Sequence, residues 1–212
     1  MTRLILVRHG ETSWNREGRY QGQIDSPLSE LGLIQGDMVA DALAGVPIDQ
    51  VYSSPLSRAY ITAAKCAARH NLPVVKDERL LEISHGKWEG LMAEDVHKDY
   101  PELLQRWRST VIDVQMPGGE SIEDVRQRAR DAIGEYVQKH AGQTVLVVAH
   151  DAVNKALICD FWGMGLEHFW QIKQDNTCIN VFEYEDEEWR LILLNSTVHL
   201  GFLFSGLVQR GL

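Results

Sequence analysis

An arginine, a histidine and a glycine in the order Arg8-His9-Gly10 close the apolar run Arg3-Leu4-Ile5-Leu6-Val7, and those residue types suit the handling of a phosphate. A guanidinium can fork two hydrogen bonds onto phosphate oxygens. An imidazole neutral at one ring nitrogen is a nucleophile near neutral pH, and glycine lets the backbone turn sharply and approach a ligand. Two further segments repeat the theme. In Ser53-Ser54-Pro55-Leu56-Ser57-Arg58 an arginine falls about one turn into an expected helix, where unpaired amides and the positive end of the dipole favour an anion. The branched run Thr144 to Ala149 ends at His150. If these ends converge, Arg8, His9, Arg58 and His150 surround one phosphate-sized hollow.

Convergence requires an open, mostly parallel sheet, because such sheets place ligands beyond the carboxyl ends of their strands. The chain alternates strand and helix signals with short connections, as βαβ units do. Residues 3–7, 50–54, 73–75 and 144–149 read as strands. Ser29 opens a helix whose apolar positions Leu31, Ile34, Met38 and Ala42 would share a face. Gly45 and Pro47 would stop it. A second helix runs from about Pro55 to His70, and Ser121 caps a long one with Ile122, Val125, Ala129, Ile133 and Tyr136 on one stripe. The runs 179–184 and 189–194 flank an acidic turn and read as an antiparallel hairpin. The expected fold is α/β: a three-layer αβα sandwich with a mostly parallel central sheet and an antiparallel edge strand, in one domain over residues 1–212.

Composition bounds the chemistry. At 212 residues and 44% hydrophobic, the chain is long enough for one well-buried core. A net charge of −9 argues against nucleic acid as a partner, since such binders carry a basic excess. An anion must therefore be held by a local cluster of Arg and His. Cys66, Cys159 and Cys178 form no metal-ligand spacing and read as small core hydrophobes in a reducing compartment. Met1-Thr2 leads straight into a strand and no apolar run approaches about 18 residues, so a soluble cytoplasmic protein with no membrane span is expected. The six tryptophans are scattered and read as packing. His70, His97, His140 and His168 read as solvated.

Taken together in order, Arg8-His9-Gly10-Glu11-Thr12, Ser53-Ser54-Pro55-Leu56-Ser57-Arg58-Ala59 and Val147-Val148-Ala149-His150 resemble the motifs of the histidine phosphatase superfamily, and the resemblance covers nearly the whole chain. It implies a phosphoglycerate mutase-like fold and a phosphate pocket of Arg8, His9, Arg58 and His150, with a further amide from Asn15. Residue 151 is aspartate where the family usually has glycine, so an anionic side chain there must point away from the phosphate or tune His150. In the implied chemistry His9 attacks phosphorus and becomes a phosphohistidine, while Arg8, Arg58 and His150 offset charge on the transferring group. Glu82, in a segment resembling the family's acid-bearing loop, protonates the leaving oxygen and then activates water. The scheme needs neither metal nor cofactor.

The loop after Glu82 separates phosphatase from mutase. Phosphoglycerate mutases follow the equivalent acid with an arginine and a tyrosine-glycine pair and add a basic insertion. This chain has Ile83-Ser84-His85 and only the separated Arg106 and Arg108. A phosphatase is therefore expected. Histidines at His85 and His199 resemble those of the metal-independent phosphoserine phosphatases of the superfamily, where they help recognise the amino-acid carboxylate; Gln21 and Gly22 would line the same mouth by similarity. The expected partner is a small phosphorylated metabolite, L-phosphoserine first, with a broad-specificity phosphatase or an α-ribazole phosphatase as alternatives. A non-catalytic binder of phosphorylated peptides is the reading from another class. The apolar stretch 201–208 would cover the pocket or seal a homodimer.

Overall fold

The computed structural model describes residues 1–201. Six strands form one sheet: β1 (Thr2–Arg8), β2 (Gln50–Ser53), β3 (Val74–Lys76), β4 (Thr144–Ala149), β5 (Ile179–Glu185) and β6 (Glu188–Ser196), in the order β3-β2-β4-β1-β5-β6. The first four are parallel. β5 runs antiparallel to β1 and carries β6 as the outer hairpin strand, so the hairpin expected from the runs 179–184 and 189–194 closes that side.

The helices are α1 (Ser13–Glu17), α2 (Glu30–Leu43), α3 (Ser57–Ala68), α4 (Ala93–Asp99), α5 (Pro101–Ser109), α6 (Ile122–Lys139) and α7 (Asp151–Phe161). Alternation along the strands splits the core. Ile5, Val7, Leu146 and Val148 point toward α2 and α3, where Val39, Ala63 and Cys66 meet them. Leu4, Leu6, Val145 and Val147 point to the other face and pack with Ile133 of α6 and Val153 and Leu157 of α7. Every residue of β4 is buried, as a central strand covered on both faces must be. Each such branched side chain contributes roughly 1.5–3 kcal/mol of burial. The three cysteines are buried free thiols, Cys66 and Cys159 within these two layers.

Two expectations fail for instructive reasons. The buried face of α2 is Gly32, Gln35, Gly36, Val39, Ala40 and Leu43, and Ile34 is exposed. Two glycines let α2 approach the 10–12 backbone so closely that a Cβ on Gly10 would stand 2.5 Å from the Gly32 carbonyl oxygen, while one on Gly32 would collide with that of Glu11. The helix is thus docked by its small residues and by Gln35, whose Oε1 accepts from the Glu11 amide at 2.8 Å. The apolar stripe read from Leu31, Ile34, Met38 and Ala42 is the wrong one. His140 is not solvated but buried, with Nε2 2.9 Å from the Tyr52 hydroxyl and Nδ1 2.9 Å from Gln143. Apart from Gly201, the apolar stretch 201–208 lies outside the described residues.

Candidate active site

β1, β4 and β2 are neighbours, so their carboxyl ends open on one hollow. The register pairs Arg8 with Ala149, which puts His9 beside His150 one step beyond. Their ring centroids are 5.1 Å apart, close to the spacing of adjacent strands. The next strand, β2, hands the chain through Ser54 and Pro55 into α3, whose second residue is Arg58.

His9 is held in one tautomer. Its Nδ1 lies 2.6 Å from the carbonyl oxygen of Gly10; a carbonyl only accepts, so Nδ1 carries the proton and Nε2 keeps its lone pair. Burial, then Arg58 and Arg8, hold the imidazole pKa well below its ordinary value, so the ring is neutral and nucleophilic. The carbonyl oxygen of His9 is gripped from behind by Asn176 Nδ2 at 3.0 Å, and the Thr177 amide reaches that of Arg8 at 3.0 Å. Arg8 Nη1 donates to the Gln174 carbonyl at 2.5 Å. A polar loop before β5 therefore aims both Arg8 and His9. Sequence reasoning missed Gln174, Asn176 and Thr177; the only signal was a polar run, Lys173 to Thr177, directly before an apolar strand.

Arg58 is almost wholly buried and donates to the carbonyls of Gly22 at 2.7 Å and Ile24 at 2.9 Å. Burial pulls its pKa down to about 10, which leaves the guanidinium charged at neutral pH. His150 is fully buried, and neither ring nitrogen has a hydrogen-bond partner among the described residues. Burial, Arg58 and His9 hold it neutral. It sits against the His9 ring and is not among the residues that line the hollow, where the two arginines supply the charge.

Asn15 and Gln21 complete a ring of donors. In the capping box of α1 the Asn15 Oδ1 accepts from the Thr12 amide at 3.1 Å. The Gln21 Oε1 accepts from the Thr12 hydroxyl at 2.9 Å and from Ser26. With their oxygens engaged, both side chains present amide nitrogens to the hollow they line. Gly22 sits at φ +52, where a Cβ would collide with the Glu89 carboxylate. Glu89 in turn accepts from the amides of Gln23 at 3.1 Å and His85 at 3.0 Å, tying the two rims together.

Glu82 lines the same hollow. Burial and the nearby charge of Asp151 push its carboxyl pKa up, so it holds a proton at pH values where an exposed glutamate has lost it. Oε1 accepts from the Ile83 amide at 2.9 Å. The outer wall is His85, Tyr20, Trp107, Phe169, Trp170 and Asp151. His85 is buried and burial pulls its pKa down to about 4, so it too is a neutral hydrogen-bonding group. Trp107 and Trp170 line the pocket, a role their spacing did not reveal. His199 does not line it. Its Nε2 stands 3.3 Å from the Thr177 hydroxyl, one layer behind His9.

A guanidinium pair, two neutral imidazoles and a proton-bearing carboxyl around one hollow can transfer a phosphoryl group through nitrogen. Residues 4–197 match the model of the histidine phosphatase superfamily (branch 1). The chain belongs to that superfamily. Phosphoserine phosphatase 1 of Hydrogenobacter thermophilus is 41% identical over 201 residues, covering 95% of each chain. The metal-independent phosphoserine phosphatase of Arabidopsis thaliana is 35% identical over 215 residues, covering all of this chain and 87% of the relative. Among solved structures, a phosphoserine phosphatase mutant from Entamoeba histolytica in complex with phosphoserine superposes with a TM-score of 0.86 at 32% identity, covering 94% of this chain and all of that one. The fold and the phosphatase character expected of the superfamily member thus agree with its relatives.

Proposed function

We propose that this chain hydrolyses L-phosphoserine to serine and phosphate through a phosphohistidine on His9, with no metal ion. The observation that carries the mechanism is the His9 Nδ1 to Gly10 carbonyl contact at 2.6 Å, which leaves Nε2 as the only nucleophilic ring nitrogen. In the first step Nε2 attacks phosphorus, the ester P–O bond breaks, and the proton of Glu82 passes to the departing serine oxygen. Arg8, Arg58, His150 and the amides of Asn15 and Gln21 hold the equatorial oxygens. In the second step Glu82, now ionised, takes a proton from water, the hydroxyl attacks phosphorus, and the P–N bond breaks to restore His9. Charge on the transferring group is met by guanidinium and imidazole, the work a divalent ion does elsewhere.

The substrate rests on the relatives named above and on the narrow, neutral-imidazole wall at His85. His85 contacts the carboxylate end of the substrate with its rim neighbours Gln21 and Gly22, and His199 supports the site through Thr177. The same reading takes residues 1–212 as one catalytic domain of a cytoplasmic homodimer in serine biosynthesis; the family match over residues 4–197 supports the single domain, and no helix among the described residues is long and apolar enough to cross a membrane.

The test is phosphate release from L-phosphoserine, phosphothreonine, 3-phosphoglycerate, α-ribazole phosphate and sugar phosphates with chelator present. A preference for L-phosphoserine of about 10²-fold in kcat/KM, roughly 2.7 kcal/mol of transition-state discrimination, supports the assignment. Similar rates across the panel support a broad-specificity phosphatase. Loss of activity with chelator and recovery with a divalent ion contradicts the metal-free scheme.

A further inference from the structure

We propose that Asp151 recognises a cationic substituent on the alcohol half of the substrate, an ammonium on the carbon next to the one bearing the ester. The inference rests on the site being a phosphomonoesterase and names which alcohols it prefers.

A carboxylate in the wall of an anion site works against the phosphate unless something else repays it. Asp151 is the first residue of α7, immediately after His150, and lines the hollow. It shares that hollow with Glu82 and His85. Its charge raises the proton affinity of both Glu82, the proton donor to the departing oxygen, and His85 on the outer wall. A substituent beside the departing oxygen therefore passes within its field.

The carboxylate is half engaged. Oδ2 meets Lys155 Nζ at 2.8 Å. That ammonium is buried and held over the rings of Phe169 at 5.2 Å and Trp170 at 4.8 Å, which keep it beneath the wall rather than in the hollow. Oδ1 faces Arg8 Nη1 at 3.6 Å, beyond hydrogen-bond range. Arg8 does not depend on this contact for its aim, because its Nη1 is already fixed on the Gln174 carbonyl. What Lys155 supplies is persistence: with Arg8 it holds the Asp151 pKa down against burial, so the side chain stays anionic. One oxygen of a fixed carboxylate is left for a donor from the substrate side. An ammonium there gains an ion pair next to the group that must release its alcohol, while a hydroxyl in the same place gains only a neutral hydrogen bond.

Two matched substrate pairs isolate that difference: L-phosphoserine against L-glycerate 3-phosphate, and O-phosphoethanolamine against 2-hydroxyethyl phosphate. The proposal expects wild type to favour the ammonium member of each pair in kcat/KM, and Asp151→Asn to shrink both ratios at least 10-fold. Because Asp151→Asn leaves Lys155 without its partner, the double variant Asp151→Asn/Lys155→Met is measured alongside and must show the same collapse. Equal losses for both members of a pair, leaving the ratios unchanged, would mean that Asp151 only positions Arg8 or Glu82, and would overturn the proposal. So would a wild-type preference for the hydroxyl members. Calorimetric binding of the same pairs to His9→Ala, with and without Asp151→Asn, separates this claim from the reaction. Absent turnover in wild type contradicts the phosphatase reading, whereas a binding preference indifferent to residue 151 contradicts only the ammonium contact.

Discussion

Arg128 on α6 donates from Nη2 to the carbonyl oxygen of Glu82 at 3.1 Å and from Nη1 to that of Arg79 at 2.8 Å. Glu120 locks the arginine in place, accepting from its Nε at 2.8 Å, and also accepts from the Ser84 amide at 2.8 Å. The backbone on both sides of Glu82 is thereby pinned to a helix that itself packs on α7. Arg128→Gln removes a charged donor from two carbonyls, a loss of about 1.5–3 kcal/mol if none of it is recovered. If that loss falls on the aim of Glu82, alkyl phosphates slow roughly 10-fold or more while an aryl ester, which needs little protonation, slows less. Rates across a series of leaving-group pKa values check this, and a uniform slowing contradicts it.

The pH profile follows from two opposite shifts. His9 must be neutral to attack, and burial with Arg58 and Arg8 lowers its pKa. Activity therefore survives as pH falls through about 6.5, the ordinary imidazole value, and is lost only well below it. Glu82 must be protonated to release the alcohol, and burial with Asp151 raises its pKa. The alkaline limb of kcat for poor leaving groups thus lies above the ordinary glutamate value of about 4.3. Glu82→Gln should remove that limb and slow poor leaving groups most. A profile governed by a group near 6.5 on the acid side contradicts the neutral His9.

Gly32 carries the contact between α2 and the nucleophile loop. Any Cβ there collides with the Glu11 carbonyl oxygen, which is backbone and has little room to yield. Gly32→Ala should cost about 1–3 kcal/mol of stability by overpacking. For a chain of this size that is roughly 2–12 °C in Tm. The shift should be matched by lower kcat, because the displaced loop carries Gly10. A melt and rate equal to wild type would show that the helix moves away freely.

That glycine also shows what the sequence conceals. β1 and β4 were legible because their branched runs need no partner to declare burial, and His9 and His150 followed as their ends. Arg58 was legible because a proline near the start of a helix marks the first turn. The docking face of α2 was not, because hydropathy gives no weight to a glycine whose value is the absence of a side chain or to Gln35, buried only because it caps the Glu11 amide. His140 was misread for a related reason: its burial depends on Tyr52, 88 positions away, supplying a hydroxyl. Gln174, Asn176 and Arg128 belong to the same class. Asn176 and Arg128 donate to backbone carbonyls distant in sequence, the Gln174 carbonyl accepts from the distant Arg8, and no local spacing announces such bonds. Trp107 reaches the pocket from within α5 and Trp170 from the chain's path after α7, placements that composition does not encode.

The central claim is covalent transfer through His9, and the most direct measurement is rapid acid-free quenching of the enzyme with a radiolabelled phosphomonoester, in wild type and His9→Ala. Wild type should show up to one equivalent of bound phosphoryl per chain, labile in acid and stable in alkali, appearing before free phosphate and decaying at the turnover rate. His9→Ala should form none and lose roughly 10⁴-fold or more in kcat. A His9→Ala enzyme that turns over at the wild-type rate, or a label that resists acid, would contradict the account.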